Sequence, residues 1–166
     1  MGVPVNMTWE LMSYFSRAKS QSSLMLDLAC GHAVHKEIIE CAGFEWVGTD
    51  YDESRKASVL AYAHALPFED NTVECILSVA AIHLFRSPLL VVKEAHRVLK
   101  PNGGFLGTVA FLEPFHDGAG YHHTHLGAIN SLRFTGFKVE KLTPGVQWSA
   151  LTAQASMGFF PKYLSL

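Results

Sequence analysis

Short apolar runs alternate along the chain with segments whose apolar residues recur every three or four positions. Thr8 can cap a first helical segment, Trp9 to Lys19, with Leu11, Met12, Phe15 and Ala18 on one side. Leu24-Met25-Leu26-Asp27-Leu28 is a brief apolar run of the kind found in buried parallel strands. Ala33 to Ala42 predicts a helix with Val34, Ile38 and Cys41/Ala42 on one face, and Gly43 stands where a left-handed residue closes it. Phe44 to Thr49 predicts a second strand ending at Asp50, and Val73 to Ala80 a later one. Ser87-Pro88 suits a helix start, and that helix runs to about Leu99 before Pro101-Asn102-Gly103-Gly104 stops it. Phe105 to Phe111 predicts a strand, Thr124 to Phe134 a helix closed by Gly136, and Phe137 to Leu142 another strand. The turn Thr143-Pro144-Gly145 then leads into a returning strand, Gln147 to Gln154, which would form a hairpin.

Strands alternating with helices predict a three-layer α/β/α sandwich: a mostly parallel sheet with one antiparallel strand near the C-terminus. The whole chain, 1–166, reads as one domain, with an N-terminal helix and turn over 1–22 and a core over 23–166. Only 15 residues separate Asp50 from Leu66, and they must cross back and supply a strand. A crossover by itself usually needs at least ~10–12 residues. The expectation is a turn at Glu53 to Lys56 in place of a helix, then a strand from Ala57 to Tyr62. That arrangement leaves one wall of the neighbouring pocket open to solvent or to a partner subunit.

Composition narrows the classes. With 49% apolar and 17% charged residues, the chain has the material for a core and does not read as disordered. Thirteen Lys+Arg against 15 Asp+Glu leave no basic excess for phosphates, which argues against nucleic acid as a partner. Cys30, Cys41 and Cys75 are odd in number and lie in apolar segments, so they read as reduced thiols. No apolar run approaches the roughly 20 residues of a membrane span, and the N-terminus lacks a signal-peptide pattern, so no membrane partner and a cytoplasmic location are expected.

The strongest local feature is Asp27-Leu28-Ala29-Cys30-Gly31-His32-Ala33, between a predicted strand and a predicted helix. Small residues there let the chain turn sharply and let a ligand lie against the backbone. Asp50 ends the next strand, where a carboxylate can accept hydrogen bonds from both hydroxyls of a ribose. This is nucleoside-binding logic, although an ordinary strand-to-helix turn would read the same way.

On these residues the chain resembles the S-adenosylmethionine-dependent methyltransferases of the Rossmann-like class. Leu24 to Ala33 is close to the family's strand-Asp-x-Gly-x-Gly-x-Gly loop. Ala65-Leu66-Pro67-Phe68-Glu69-Asp70-Asn71 resembles the segment before its fourth strand, and Arg97-Val98-Leu99-Lys100-Pro101-Asn102-Gly103-Gly104 its "RVLKPGG" helix ending. With Ser78-Val79-Ala80-Ala81-Ile82-His83 the likeness spans roughly residues 24 to 142. The resemblance implies a Rossmann-like sandwich and S-adenosyl-L-methionine as cofactor. It also implies that Asp27 orients the amino group or the loop, and that Ala29, Cys30 and Gly31 form the loop against the methionine part. Asp50 would hold the ribose with Tyr51 beside it, Tyr62, Ala63, His64 and Ala65 would flank the adenine, and Ser78 to Ala80 would line the wall beside the methyl group. The sequence departs from the family where Ala29 and Ala33 replace loop glycines and Tyr62 replaces an acid. Any positive φ at either alanine would cost about 1–2 kcal/mol.

Four of the nine histidines, His116, His122, His123 and His125, fall within ten residues, beside Tyr121 and two acids. In this fold that loop overhangs the substrate side. One of His116, His122 or His123 reads as a general base, with His83 approaching from the fourth strand and Tyr121 as a further catalytic candidate. The alternative is a polar loop with Thr124 as helix cap. The spacing does not fit a zinc site, and no metal is expected. His32, His35 and His96 read as structural or solvent-facing. Trp148 and Phe159-Phe160-Pro161-Lys162-Tyr163 read as core cover or as a homodimer surface. The expected function is methyl transfer to a small-molecule acceptor. The alternative is a methyltransferase-like protein with weakened or lost transfer, acting as a cyclase, an isomerase or a non-catalytic partner.

Overall fold

The computed structural model describes residues 23–109 and 118–142. The predicted first helix, the hairpin strand 147–154, His116 and the aromatic C-terminal segment lie outside the described residues. In chain order the elements are β1 (Ser23–Leu28), α1 (Lys36–Cys41), β2 (Phe44–Asp50), β3 (Val59–Leu60) and β4 (Val73–Ser78). A 3-10 turn (Ile82–Leu84), α2 (Pro88–Val98), β5 (Leu99–Gly107) and α3 (His125–Phe134) follow. The sheet order is β3-β2-β1-β4-β5, and every described pairing is parallel.

The alternation in β1 explains the layers. Leu26 and Leu28 point to one face, where they pack with Ile76 of β4 and with Val91, Ala95 and Val98 of α2. Met25 points to the other face, onto Ile39 of α1 with Phe44, Cys75 and Leu77. Val73 joins the first cluster and Cys75 the second, where strict alternation would put both on one face. The pairing of β4 with β5 shifts register between these two residues.

Several predicted elements change, and β5 begins at Leu99, running through the predicted Pro101-Asn102-Gly103-Gly104 stop ahead of Phe105. The helix predicted from Ala33 begins only at Lys36, because Ala33 sits at φ +58°, a conformation that cannot start a right-handed helix. Phe137 to Leu142 forms no strand, and the sheet of the described residues is wholly parallel, with no antiparallel strand among them; the predicted return, Gln147 to Gln154, lies outside these residues. The alternation from Phe137 to Leu142 reflects half-burial alone: Phe137 packs on His96 and Phe105 at ring-centroid distances of 5.0 and 5.5 Å, and no strand runs beside the segment among the described residues.

The turn in place of a crossover helix is as expected, but the strand predicted from Ala57 to Tyr62 shrinks to Val59–Leu60. Asp52 Oδ1 accepts from Ser54 N and Ser54 Oγ at 2.9 and 2.8 Å, building a turn where a helix would otherwise stand. β3 has two residues and lies at the sheet edge.

Two of the resembling segments meet in space. Leu66 N donates to Glu94 Oε1 at 2.9 Å, and Arg97 donates to Glu94, to the carbonyls of Leu66 and Phe68, and to Asp70. The α2 ending therefore fastens the Leu66–Asp70 segment, whose Leu66 enters the core.

Candidate cofactor site at the carboxyl edge

The strand order reverses between β1 and β4, so the crevice for a ligand opens beyond their carboxyl ends. The loop after β1 forms one lip. Ala29, Gly31 and Ala33 take φ of +57°, +54° and +58°, so the loop keeps a left-handed alternation with two alanines in it. A methyl group built on Gly31 would meet nothing within 4 Å, so the space above this backbone is open. Each alanine carries strain of about 1–2 kcal/mol that glycine would relieve, less about 0.5–1 kcal/mol for glycine's extra unfolded freedom. The double change Ala29→Gly with Ala33→Gly is expected to raise the melting temperature by a few degrees, read by calorimetry. A lower melting temperature would show that the two methyl groups are packed and not strained.

Asp50 closes the second lip. Its Oδ2 accepts from Gly31 N at 3.0 Å and its Oδ1 from Asp52 N at 3.1 Å, so one carboxylate joins the loop after β1 to the turn after β2. Each oxygen retains acceptor capacity for a further hydrogen bond. The same two segments are joined by Lys56 N to Gly31 O at 3.0 Å and by Arg55 to His32 Nε2 at 2.9 Å. Tyr51 and Tyr62 are both well exposed, with nearly parallel rings 6.2 Å apart.

Other expected residues are placed differently. Asp27 is only 1% exposed and accepts from Trp46 Nε1 at 3.3 Å, with His35 Nδ1 3.6 Å away. Its carboxylate thus holds the floor beneath the loop through Oδ2, and its burial sets it below the open face of the crevice. Cys30 is buried, and burial, followed by the charges of Asp27 and Asp50, pushes its thiol up to about 12, so it is no nucleophile near neutral pH. Ala63 is half-buried and Ala65 exposed, next to Tyr62. His64 turns toward α2, its Nε2 accepting from Ser87 N at 3.4 Å and its ring meeting Phe85 edge-on. Ser78 is fully buried and can contribute only backbone to the crevice wall.

Among the catalytic candidates, the His83 ring is fully buried while its carbonyl accepts from Gly120 N at 3.2 Å. Tyr121 donates its hydroxyl to Arg86 O at 2.9 Å and stacks on His123. These two bonds fasten segment 118–123 over the 3-10 turn that follows β4. His122 is exposed. His123 is partly buried, and that burial, with His122 beside it, lowers its pKa below the ordinary imidazole value. No described group of His, Cys, Asp and Glu is arranged to hold a metal ion, and no described helix is long and apolar enough to cross a membrane.

Trp46 and Thr108 were not singled out from the sequence. The signal for Trp46 was Gly48 within a buried strand: a side chain there would stand 2.3 Å from the Trp46 ring and 2.7 Å from Cys30 Sγ. Thr108 offered no comparable signal.

A parallel sheet with a nucleoside-type crevice at its switch point defines the class as Rossmann-like. Within it, residues 26–107 match the methyltransferase domain family. That match makes this stretch a methyltransferase domain, for which S-adenosylmethionine is the implied cofactor. A curated relative, the mitochondrial arginine hydroxylase NDUFAF5 of Danio rerio, is 30% identical over 52% of this chain and 30% of its own length. The chain thus spans under a third of that relative. A methyltransferase of Aquifex aeolicus superposes with a TM-score of 0.63 at 16% identity, over 84% of this chain and 86% of that one. A phosphoethanolamine N-methyltransferase of Haemonchus contortus, solved with S-adenosylmethionine, gives 0.67 at 17% identity, over 93% of this chain and 42% of that one.

Proposed function

We propose that the chain transfers the methyl group of S-adenosylmethionine to a small-molecule acceptor. Asp50 carries this reading: a carboxylate at the carboxyl end of β2 that already joins both lips of the crevice and has lone pairs left for a ribose diol. The residues present fit the nucleoside half of the cofactor, since Gly31 offers open backbone and Tyr51 and Tyr62 offer exposed ring faces for an adenine. Bound, the cofactor supplies a sulfonium that is intrinsically a strong methyl donor, so the chain's work is positioning.

His123 suits the proton-accepting role best among the described histidines. Its lowered pKa keeps the ring neutral near pH 7, Tyr121 stacks against it, and its Nε2 is buried without a hydrogen-bond partner. Tyr121, whose hydroxyl proton is engaged by Arg86 O, supports the ring and is a weaker candidate for proton transfer. A small acceptor agrees with the balanced charge and with the short connections between the described strands. The free thiols Cys30, Cys41 and Cys75 support a reducing compartment such as the cytoplasm.

Incubation with methyl-labelled cofactor and the small-molecule fraction of a cell extract tests this reading. Label is expected in a small product. Cofactor binding with no label transferred would favour the second reading, a methyltransferase-like protein with weakened transfer that acts as a cyclase or isomerase or as a non-catalytic partner. Two observations favour that reading: Ala29 and Ala33 are held at positive φ, and the matching curated relative is named for hydroxylation.

A further inference from the structure

The turn after β4 is held in an unusual way. Ala80, exposed and not glycine, sits at φ +51°, in the left-handed region. Its N–H donates to Thr108 Oγ1 at 2.8 Å, while Thr108 N donates to Ser78 O at 3.0 Å. One residue beyond β5 thus clasps the turn beyond β4 with two reciprocal bonds. The strand ends are pressed together there, because a side chain on Gly107 would lie 2.7 Å from Ser78 O. The register of β1 and β4 pairs Asp27 with Leu77, so residues 79–80 leave the sheet beside the loop 29–31. The clasped turn is therefore the wall facing the glycine-type loop across the crevice.

We propose that Thr108 is a positioning residue: its hydroxyl locks Ala80 in the left-handed conformation and so sets the wall against which the amino-acid and sulfur end of the cofactor lies. This rests on the reading of the crevice as the cofactor site. The bond is solvent-exposed, so losing it leaves Ala80 N to water and alters stability little. Its consequence is local: an unclasped Ala80 relaxes out of the left-handed region and the wall moves.

The test compares the parent, Thr108→Val and Thr108→Ser by calorimetric titration with S-adenosylhomocysteine, amide exchange at Ala80, and thermal melting. Thr108→Val removes the acceptor at nearly constant shape. It is expected to weaken binding by about fivefold or more, to speed Ala80 exchange, and to shift the melting temperature by no more than about 3 °C. Thr108→Ser restores the acceptor and is expected to bind within about twofold of the parent. Parent-like affinity in Thr108→Val, with Ala80 exchange accelerated, would overturn the proposal while leaving the cofactor reading intact. Absence of binding in the parent itself would overturn the cofactor reading and this proposal with it.

Discussion

Replacing Asp50 with alanine is expected to weaken S-adenosylhomocysteine binding by on the order of 10²–10⁴-fold. Two effects add. The ribose diol loses two charge-assisted hydrogen bonds, each worth about 1.5–3 kcal/mol, and every 1.4 kcal/mol is about tenfold in affinity. The loop also loses its anchor, because Gly31 N and Asp52 N both donate to this carboxylate. The second effect is visible without ligand, as a fall of about 1–2 kcal/mol in stability. Asp50→Asn separates the two, since an amide keeps one acceptor oxygen and sets a donor against the other N–H. It is expected to lie between parent and Asp50→Ala in both readouts. An Asp50→Ala chain that binds within a few-fold of the parent would place the ribose elsewhere.

The largest effect on stability is expected at Arg97, away from the crevice. Its guanidinium meets Glu94, Asp70 and the carbonyls of Leu66 and Phe68. Arg97→Ala leaves the Glu94 carboxylate, which is largely enclosed, with only Leu66 N as partner. A loss of about 3 kcal/mol in urea unfolding is expected, after allowance for the exposed share of the Asp70 contact. Arg97→Lys should recover less than half, because an ammonium cannot match the planar fork. The pH dependence has a defined sign. Hydrogen bonding from Arg97, above the opposing effect of burial, holds Glu94 below its ordinary value near 4.5. A carboxyl group so lowered contributes stability that is fully present above the unfolded value and is lost as pH falls through the lower, folded one. The parent should therefore lose stability below about pH 4.5 more steeply than Arg97→Ala, measured by urea midpoints across that range. Parallel acid limbs would contradict the pairing.

What could be read from the residues alone follows the range of the interactions involved. Leu24 to Leu28, Asp50, the capping Thr124 and the closing Gly43 are legible because each rests on a local pattern or a single backbone conformation. The absent crossover helix was legible from chain length between Asp50 and Leu66. The late start of α1 is half legible: a positive φ at Ala33 is a cost the loop pattern implies, but its effect on the helix boundary follows only from the observed angle. Trp46 over Asp27, and Thr108 on Ala80, depend on which residues of adjacent strands stand opposite each other. Strand register is a tertiary property, and neither pair has a fixed spacing in sequence. Phe137 to Leu142 failed for the converse reason: period-two alternation reports a half-buried extended segment, whereas a strand also needs a partner for its backbone.

Calorimetric titration of S-adenosylhomocysteine into the unmodified chain tests the central claim most directly, because it needs no knowledge of the acceptor. A crevice held open by Asp50, Gly31 and the left-handed loop predicts a saturable one-site isotherm below millimolar ligand. The absence of saturable heat up to millimolar ligand, in a chain shown to be folded, would contradict it.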